Sequence, residues 1–276
     1  MLVTRTRAGL RAAVSAAPRP VGLVPTMGAL HDGHRSLIVR ARAENATVVV
    51  TIFVNPTQFD ETRDFERYPR DEARDVAICE AEGTDIVFAP PVEEVYPPGF
   101  DTRVVVGAVA RPLEGAARPG HFEGVARVVA VLFGLAGADT AYFGQKDAQQ
   151  TVVVRRMAED LAIPTKVIIC PTIREPDGLA ISSRNVLLST AERAGAPVLY
   201  RAIRAAAAQH EAGERDGEAL RAVMRAVLAA EPQAKPEYVS VADATTLREL
   251  DRLEGPALLS LAVRFGATRL IDNLAV

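Results

Sequence analysis

Several residue types are scarce in this sequence, and each scarcity narrows what the protein can be. The 276 residues include no tryptophan, two cysteines and four histidines, and only three of the 32 basic residues are lysines. Cys79 and Cys170 lie far apart without the spacing of a metal site, which argues against a disulfide-stabilised secreted domain and favours reduced thiols. No apolar run approaches the ~18 residues that a membrane-spanning helix needs. We therefore expect a cytoplasmic protein.

The charge balance limits the partners. The net charge is -3 and the isoelectric point is about 5.9, whereas a nucleic-acid-binding surface normally needs a basic face. We expect small-molecule substrates, with neither nucleic acid nor membrane as a partner. Four arginines precede the first acidic residue, Asp32, which is typical either of a transit peptide or of an amphipathic helix around residues 4–16. We favour the helix.

Hydrophobic periodicity predicts an α/β fold for residues 1–174. From residue 21 to about 170, short β-branched runs, RVVV at 103–106 among them, alternate with segments of helical period. This alternation predicts a Rossmann-like parallel sheet with helices on both faces.

The pattern changes beyond residue 174. Turn-forming residues come first, and two alanine-rich helices are predicted at 190–212 and 216–230. The remaining residues predict strands joined by turns. Residues 175–276 therefore predict a smaller C-terminal α+β domain with an antiparallel sheet.

A histidine pair follows the first predicted strand of the sheet, in the stretch PTMGALHDGH (25–34). Ligands collect at the carboxyl ends of parallel strands, where a helix N-terminus attracts anions. Gly28 and Gly33 allow close approach of the backbone, and His31 and His34 are spaced to point the same way. Three interpretations remain open at this point: helix capping, a zinc site, and phosphate binding.

Two further stretches carry groups that suit phosphate. Lys146 follows another predicted strand and Gly144, where an ammonium could pair with phosphate oxygens or remain solvated. Ser182, Ser183 and Arg184 could cap the next helix. However, the Ser189 box with Glu192 already supplies a cap, which leaves the two serines available to a ligand.

Three polar residues suit a small polar acid. Gln58 and Gln150 offer uncharged donors and acceptors, although each could equally be a surface amide. His121 begins the long apolar helix, where solvated capping is the alternative. His210, in an alanine-rich helix, is expected at the surface.

Six motifs in order along the chain closely resemble those of the pantothenate synthetase family. They are PTMGALHDGH, IFVNPTQF, RPGHFEGV, YFGQKDAQQ, DGLAISSRN and the terminal RLIDN, and the likeness runs from about residue 2 to residue 274. HDGH resembles the HxGH signature of the adenylate-forming and nucleotidyltransferase superfamily. The resemblance implies a ligase that condenses pantoate with β-alanine, using ATP and Mg²⁺, through pantoyl adenylate. It also implies a homodimer.

The same resemblance assigns roles to residues of this sequence. Those implied to bind ATP are Met27, Gly28, Ala29, Leu30, His31, Asp32, Gly33, His34, Gly144, Gln145, Lys146, Asp147, Ile173, Ile181, Ser182, Ser183 and Arg184. Those implied to be catalytic are His31, His34, Lys146 and Arg184. Those implied to bind pantoate are Pro25, Met27, Gln58, His121 and Gln150, and Gln58 is also implied to bind β-alanine. Asp75 is a candidate metal ligand, although helix charge explains it nearly as well.

The sequence departs from the family pattern at four positions, which are Arg127, Val131, Ala148 and Ile181. These four differences put the exact affinity for the substrates in question, but not the class of reaction. Two alternative functions remain. An adenylyl transferase acting on a phosphate ester would share HDGH but would call for additional cations in place of the glutamines. A non-catalytic nucleotide-binding regulator would bind ATP without turnover.

Overall fold

The structure is a computed structural model that describes residues 1–59, 65–66 and 68–276. Its contacts divide the chain into two compact units. The first unit comprises Met1–Gly144 and Gln150–Pro171, and the second comprises Gln145–Gln149 and Thr172–Val276. The domain boundary predicted at residue 174 lies close to this division. The sequence pattern did not predict that Gln145–Gln149 would belong to the second unit.

The first unit is built on a six-stranded sheet in the order β1-β4-β3-β2-β5-β6, and all of its strand pairs are parallel. Its strands are β1 (Leu2–Thr4), β2 (Val21–Thr26), β3 (Thr47–Ile52), β4 (Ile86–Phe88), β5 (Thr140–Gly144) and β6 (Lys166–Cys170). Strands β2 and β3 are central and almost wholly buried, which explains their continuous apolar runs. Because they are neighbours, their carboxyl ends hold the segments that follow them side by side.

Helices connect the strands of the first unit. They are α1 (Arg7–Ala16), α2 (Asp32–Glu44), α3 (Glu72–Ala81), α4 (Val92–Val95), α5 (Glu114–Ala117), α6 (His121–Ala136) and α7 (Ala148–Asp160). Helix α1 is the amphipathic helix expected near residues 4–16; Thr6 caps it, and Leu10 and Val14 are buried. Within the described parts of the chain, no helix has both the length and the apolar character needed to cross a bilayer.

The second unit contains the antiparallel sheet β7 (Lys235–Asp243), β8 (Ala257–Phe265) and β9 (Thr268–Ala275). Helices α8 (Thr190–Gly195), α9 (Val198–Glu211) and α10 (Gly217–Ala229) precede it. Buried alanine and leucine side chains of α9 and α10 share a core with strand β8. The predicted fold class, a parallel α/β sheet with a smaller antiparallel α+β region, is confirmed.

Three details of the predicted elements are wrong. The helix predicted at 190–212 is two helices, because Pro197 lacks the N–H that a continuous helix requires at that position. RVVV at 103–106 is not a strand, and Val105 is 70% exposed, since β-branched residues form a strand only where a neighbour is available to pair. Strand β1 was not predicted, because three residues are too short to show a period.

Candidate active site

The segment between β2 and α2 makes a sharp turn that requires glycine. Gly28 and Ala29 both have a left-handed backbone, with φ of 78° and 50°. A Cβ atom on Gly28 would lie 2.8 Å from an oxygen of Asp75, so a side chain does not fit there without displacing that carboxylate. The Gly28 N–H donates to the Thr26 hydroxyl at 3.1 Å, which ties the turn to the end of β2.

Asp75, on helix α3, anchors this turn. Its two carboxylate oxygens accept the backbone N–H groups of Ala29 and Leu30, each at 2.8 Å, and the residue is only 1% exposed. Successive N–H groups in this conformation form a small concave site for an anion, and here the chain's own carboxylate fills it. The structure thus gives Asp75 an anchoring role, while its role as a metal ligand stays a prediction.

His31 and His34 form a reciprocal cap at the start of α2. The Nδ1 atom of His31 accepts the Gly33 N–H at 3.2 Å, and the Nδ1 atom of His34 accepts the His31 N–H at 3.4 Å. The two rings lie 4.1 Å apart between centroids, inclined by 35°. Both side chains therefore point the same way, as their spacing predicts.

The capping fixes the tautomer of both rings. A nitrogen that accepts a backbone N–H carries no proton, so each neutral imidazole has its proton on Nε2. Two Nε2–H donors at the positive end of a 13-residue helix suit phosphate oxygens. Helix capping and phosphate binding, taken above as alternatives, are thus compatible.

Gln58 lies in the short 3₁₀ turn Pro56–Gln58 that follows β3, and its side chain is buried. Its Oε1 accepts from Asn55 Nδ2 at 2.9 Å, and its Nε2 lies 3.1 Å from the sulfur of Met27. The surface-amide alternative is therefore wrong for Gln58. Gln150, in α7, and Pro25, in β2, are both half-buried.

His121 contacts the same turn. Its Nδ1 lies 2.8 Å from the backbone carbonyl oxygen of Gln58, to which it donates, and Arg118 donates to the same oxygen at 3.3 Å. Helix α6 lies close because Gly124 has no side chain: a Cβ atom there would come within 2.1 Å of the Thr57 carbonyl oxygen. His121 is therefore directed at Gln58 and is not a solvated cap.

In the second unit, Lys146 lies in the 3₁₀ turn Gln145–Asp147 and its side chain is mostly buried. Its Nζ atom is 3.3 Å from the Asp147 carboxylate. Asn273, on β9, donates to the carbonyl oxygens of Gln145 at 3.0 Å and Lys146 at 2.8 Å, and its Oδ1 accepts from the Gln145 amide. The sequence assigned no role to Asn273, although this residue ends the RLIDN motif.

The serine-containing stretch forms a hairpin followed by a 3₁₀ turn. Ile181 donates its N–H to the Ile173 carbonyl at 3.0 Å, which pairs two of the predicted ATP-binding residues. The Ser182 hydroxyl accepts the Arg184 N–H at 3.2 Å and so caps the turn Ser183–Leu187. The Ser189 capping box with Glu192 is confirmed, but the inference that it leaves both serines uninvolved in capping is wrong for Ser182.

A buried ion pair supports the base of that hairpin. Arg174 makes two hydrogen bonds to Asp272, at 2.7 and 2.9 Å, and its guanidinium lies 3.9 Å above the ring of Tyr200. Gly178, with φ of 93°, packs on the same ring, and a Cβ atom there would come within 2.5 Å of it. The hairpin is thus fixed at its base by side chains distant in sequence.

The two cysteine thiols lie in positions that make them unreactive. Both are buried, and burial raises the pKa of the Cys79 thiol to about 11. Among the described residues, no group of three or more histidine, cysteine or acidic side chains could hold a metal ion. A zinc site at the histidine pair therefore has no support within residues 1–59, 65–66 and 68–276.

The predicted site residues fall into two groups. In the first unit, Met27 directly precedes the histidine turn and contacts Gln58, and Gln58 contacts His121. The second unit brings together Gln145, Lys146 and Asp147, and separately Ile173 with Ile181 through Arg184.

Comparison with known proteins identifies the family. The sequence model of the pantoate–β-alanine ligase family matches residues 2–275. Pantothenate synthetase of Roseiflexus castenholzii is 62% identical over 273 residues, which cover 99% of this chain and 98% of the relative. That of Chloroflexus aggregans is 62% identical over 275 residues, 99% of each chain.

Solved structures agree. A crystal structure of pantothenate synthetase from Thermus thermophilus superposes with a TM-score of 0.95 at 49% identity, covering 99% of both chains. Pantoate–β-alanine ligase from Francisella tularensis, complexed with beta-gamma ATP and β-alanine, gives a TM-score of 0.81 at 33% identity, with 99% and 97% coverage. The resemblance carried by the six motifs is confirmed: the chain belongs to the pantoate–β-alanine ligase family.

Proposed function

We propose that this chain condenses pantoate with β-alanine to give pantothenate, AMP and pyrophosphate, with ATP as the energy source. The match along residues 2–275 supports the reaction, and the Francisella relative contains ATP-type and β-alanine ligands. The observation that carries the proposal is the pair of imidazoles whose Nε2–H donors are set by capping at a helix N-terminus. Such a pair suits a nucleotide phosphate.

The first step activates the acid. A carboxylate is a poor electrophile, so a pantoate oxygen attacks the α-phosphorus of ATP, the bond to pyrophosphate breaks, and pantoyl adenylate remains. Negative charge spreads over the α-phosphate and the leaving pyrophosphate. His31 and His34 donate to these oxygens, with His34 at the α/β linkage. We also propose Lys146, Ser182, Ser183 and Arg184 as donors to the phosphate oxygens.

The second step forms the amide bond. The neutral amine of β-alanine attacks the acyl carbon of the adenylate, the bond to the phosphate oxygen breaks, AMP leaves, and the nitrogen releases a proton to solvent. Gln58, His121 and Met27 hold the pantoate, with Pro25 and Gln150, and Gln58 also contacts β-alanine. Acyl adenylates hydrolyse when water enters. We propose that the C-terminal region, residues 175–276, acts as a lid that excludes this water.

Magnesium fits this site only as a companion of the nucleotide. Both oxygens of Asp75 already accept backbone N–H groups, and among the described residues no cluster of three or more histidine, cysteine or acidic side chains could hold a cation. Mg²⁺ usually keeps several waters and binds through substrate phosphates. It would neutralise phosphate charge, held chiefly by ATP. We further propose a cytoplasmic homodimer.

Isotope exchange tests the proposal. The protein is incubated with ATP and labelled pyrophosphate, without β-alanine, in the presence and absence of pantoate. Label should enter ATP only when pantoate is present. Exchange independent of pantoate would indicate a different acceptor, such as a phosphate ester, and ATP binding without any exchange would indicate a non-catalytic regulator. Either result would reject the proposed reaction.

A further inference from the structure

The side-chain amide of Asn55 is held in one orientation by backbone groups of unambiguous polarity. The Thr57 N–H can only donate, and it faces Asn55 Oδ1 at 3.2 Å; the Gly124 carbonyl can only accept, and it faces Nδ2 at 3.1 Å. Asn55 is 1% exposed, so water does not replace either partner. A flipped amide would set donor against donor and acceptor against acceptor, which buried groups do not tolerate.

Asn55 passes this orientation to Gln58. Because Asn55 Nδ2 donates to Gln58 Oε1 at 2.9 Å, the other end of the Gln58 amide is necessarily the NH₂ group. That group lies 3.1 Å from the Met27 sulfur, a weak acceptor that engages one of its two hydrogens at most. Gln58 therefore presents a hydrogen-bond donor beside Met27.

Tyr96 is the outermost member of this chain of hydrogen bonds. Its hydroxyl donates to Asn55 Oδ1 at 2.8 Å, alongside the Thr57 hydroxyl at 2.9 Å. Its ring is edge-on to Phe100 and Phe53, with centroids 5.1 and 6.1 Å away. Burial raises the pKa of Tyr96, so the hydroxyl keeps the proton that it donates.

We propose that Tyr96 is a positioning residue which, through Asn55, fixes Gln58 as a hydrogen-bond donor to the carboxylic acid substrate. The proposal rests on the proposed function for the identity of that acid. The physical reason is the match of donors to acceptors. The carboxylate of an ionised acid offers only acceptors, and a donor held rigidly by buried partners binds it without first reorienting. Tyr96 touches neither the substrate nor the reacting atoms in this scheme.

The decisive variant is Tyr96→Phe, which removes the donor and keeps the ring. In pyrophosphate exchange, the KM for pantoate should rise about three- to tenfold, the effect of one lost hydrogen bond, while the KM for ATP stays within about twofold. Asn55→Asp should lose at least about a hundredfold in kcat/KM for pantoate, because its carboxylate would set oxygen against both Gly124 and Gln58. The matched control is Tyr142→Phe, which removes another buried hydroxyl of the first unit, bonded to Asn45. It should leave the KM for pantoate unchanged.

A second readout needs no activity. Hydrogen exchange of the Asn55 and Gln58 side-chain amides, followed by NMR, should accelerate in Tyr96→Phe and not in Tyr142→Phe. Unchanged amide exchange would overturn the inference even if the enzyme proves active. Accelerated exchange with an unchanged KM for pantoate would overturn it as well, because the network would then not govern the substrate. A wild type that shows no pantoate-dependent exchange would reject the proposed function separately.

Discussion

Asp75 accepts the backbone N–H of Leu30 at 2.8 Å, although 45 residues separate the two in sequence. Together with the bond from Ala29, this contact holds the left-handed turn from which the histidine pair begins. A buried carboxylate with two backbone donors is well satisfied, so the turn needs no bound ligand to keep its form.

Replacing Asp75 by asparagine should disturb the histidine turn. The amide would set an NH₂ group against one of two backbone N–H groups, at a cost of about 1–3 kcal/mol in stability. We expect adenylation to fall by about tenfold or more and the melting temperature to fall with it. Asp71→Asn is the control, because asparagine is as good a helix cap as the aspartate that caps α3. Recovery of adenylation by the Asp75→Asn variant in excess Mg²⁺ would instead indicate that Asp75 is a metal ligand.

Capping and catalysis can be separated at His34. Glutamine at the third helical position retains the capping box but has no imidazole Nε2–H. His34→Gln should therefore melt within a few degrees of the wild type, yet lose about a hundredfold or more in the rate of adenylation, the effect of about 2.7–4 kcal/mol in the barrier. Rapid-quench measurement of pantoyl adenylate provides the rate. Near-normal adenylation would show that His34 serves only to begin the helix.

Asn273 should matter for nucleotide binding through the backbone that it holds. Asn273→Asp would place a carboxylate oxygen against the carbonyl oxygens of Gln145 and Lys146. We expect the KM for ATP to rise about tenfold or more, since two hydrogen bonds are replaced by repulsion. Thr268→Ser, at the other end of strand β9, should change little. An unaltered KM for ATP in Asn273→Asp would show that the turn Gln145–Asp147 does not depend on this contact.

Thiol labelling should report burial of both cysteines. The thiolate is the reactive form, and burial raises the pKa of Cys79 to about 11, so the thiol stays protonated at neutral pH and gains reactivity only as the pH approaches that value. Burial likewise raises the pKa of Cys170. We expect no labelling of the native protein at neutral pH and two labelled thiols after denaturation. Rapid labelling without unfolding would contradict the buried positions of both residues.

Local patterns predicted the elements whose signal lies within a few residues. The spacing of His31 and His34, the capping box at Ser189 and the apolar runs of β2 and β3 were readable because each depends on neighbours along the chain. The break at Pro197 was missed, because the apolar period continues across it and hides the loss of one backbone donor.

Contacts between distant segments were not predictable in this way. The bonds of Asp75 to the histidine turn and of Asn273 to Lys146 depend on how elements pack, which no local period encodes. Gln58 shows the same limit: its sequence position fits a surface amide equally well, whereas the structure buries it in the turn on which α6 packs through Gly124. The tautomers of the two imidazoles likewise required coordinates.

Gly124 also bears on redesign of substrate range. Its missing side chain lets the main chain of a 16-residue helix rest directly on the turn that carries Gln58, and a helix backbone is too stiff to recede by small steps. In the proposed acid site, we therefore do not expect this helix to move aside for a bulkier acid. Met27, which we propose contacts the acid, has an unbranched thioether that adapts more readily, so a library aimed at larger acyl donors should vary position 27 and leave 124 intact.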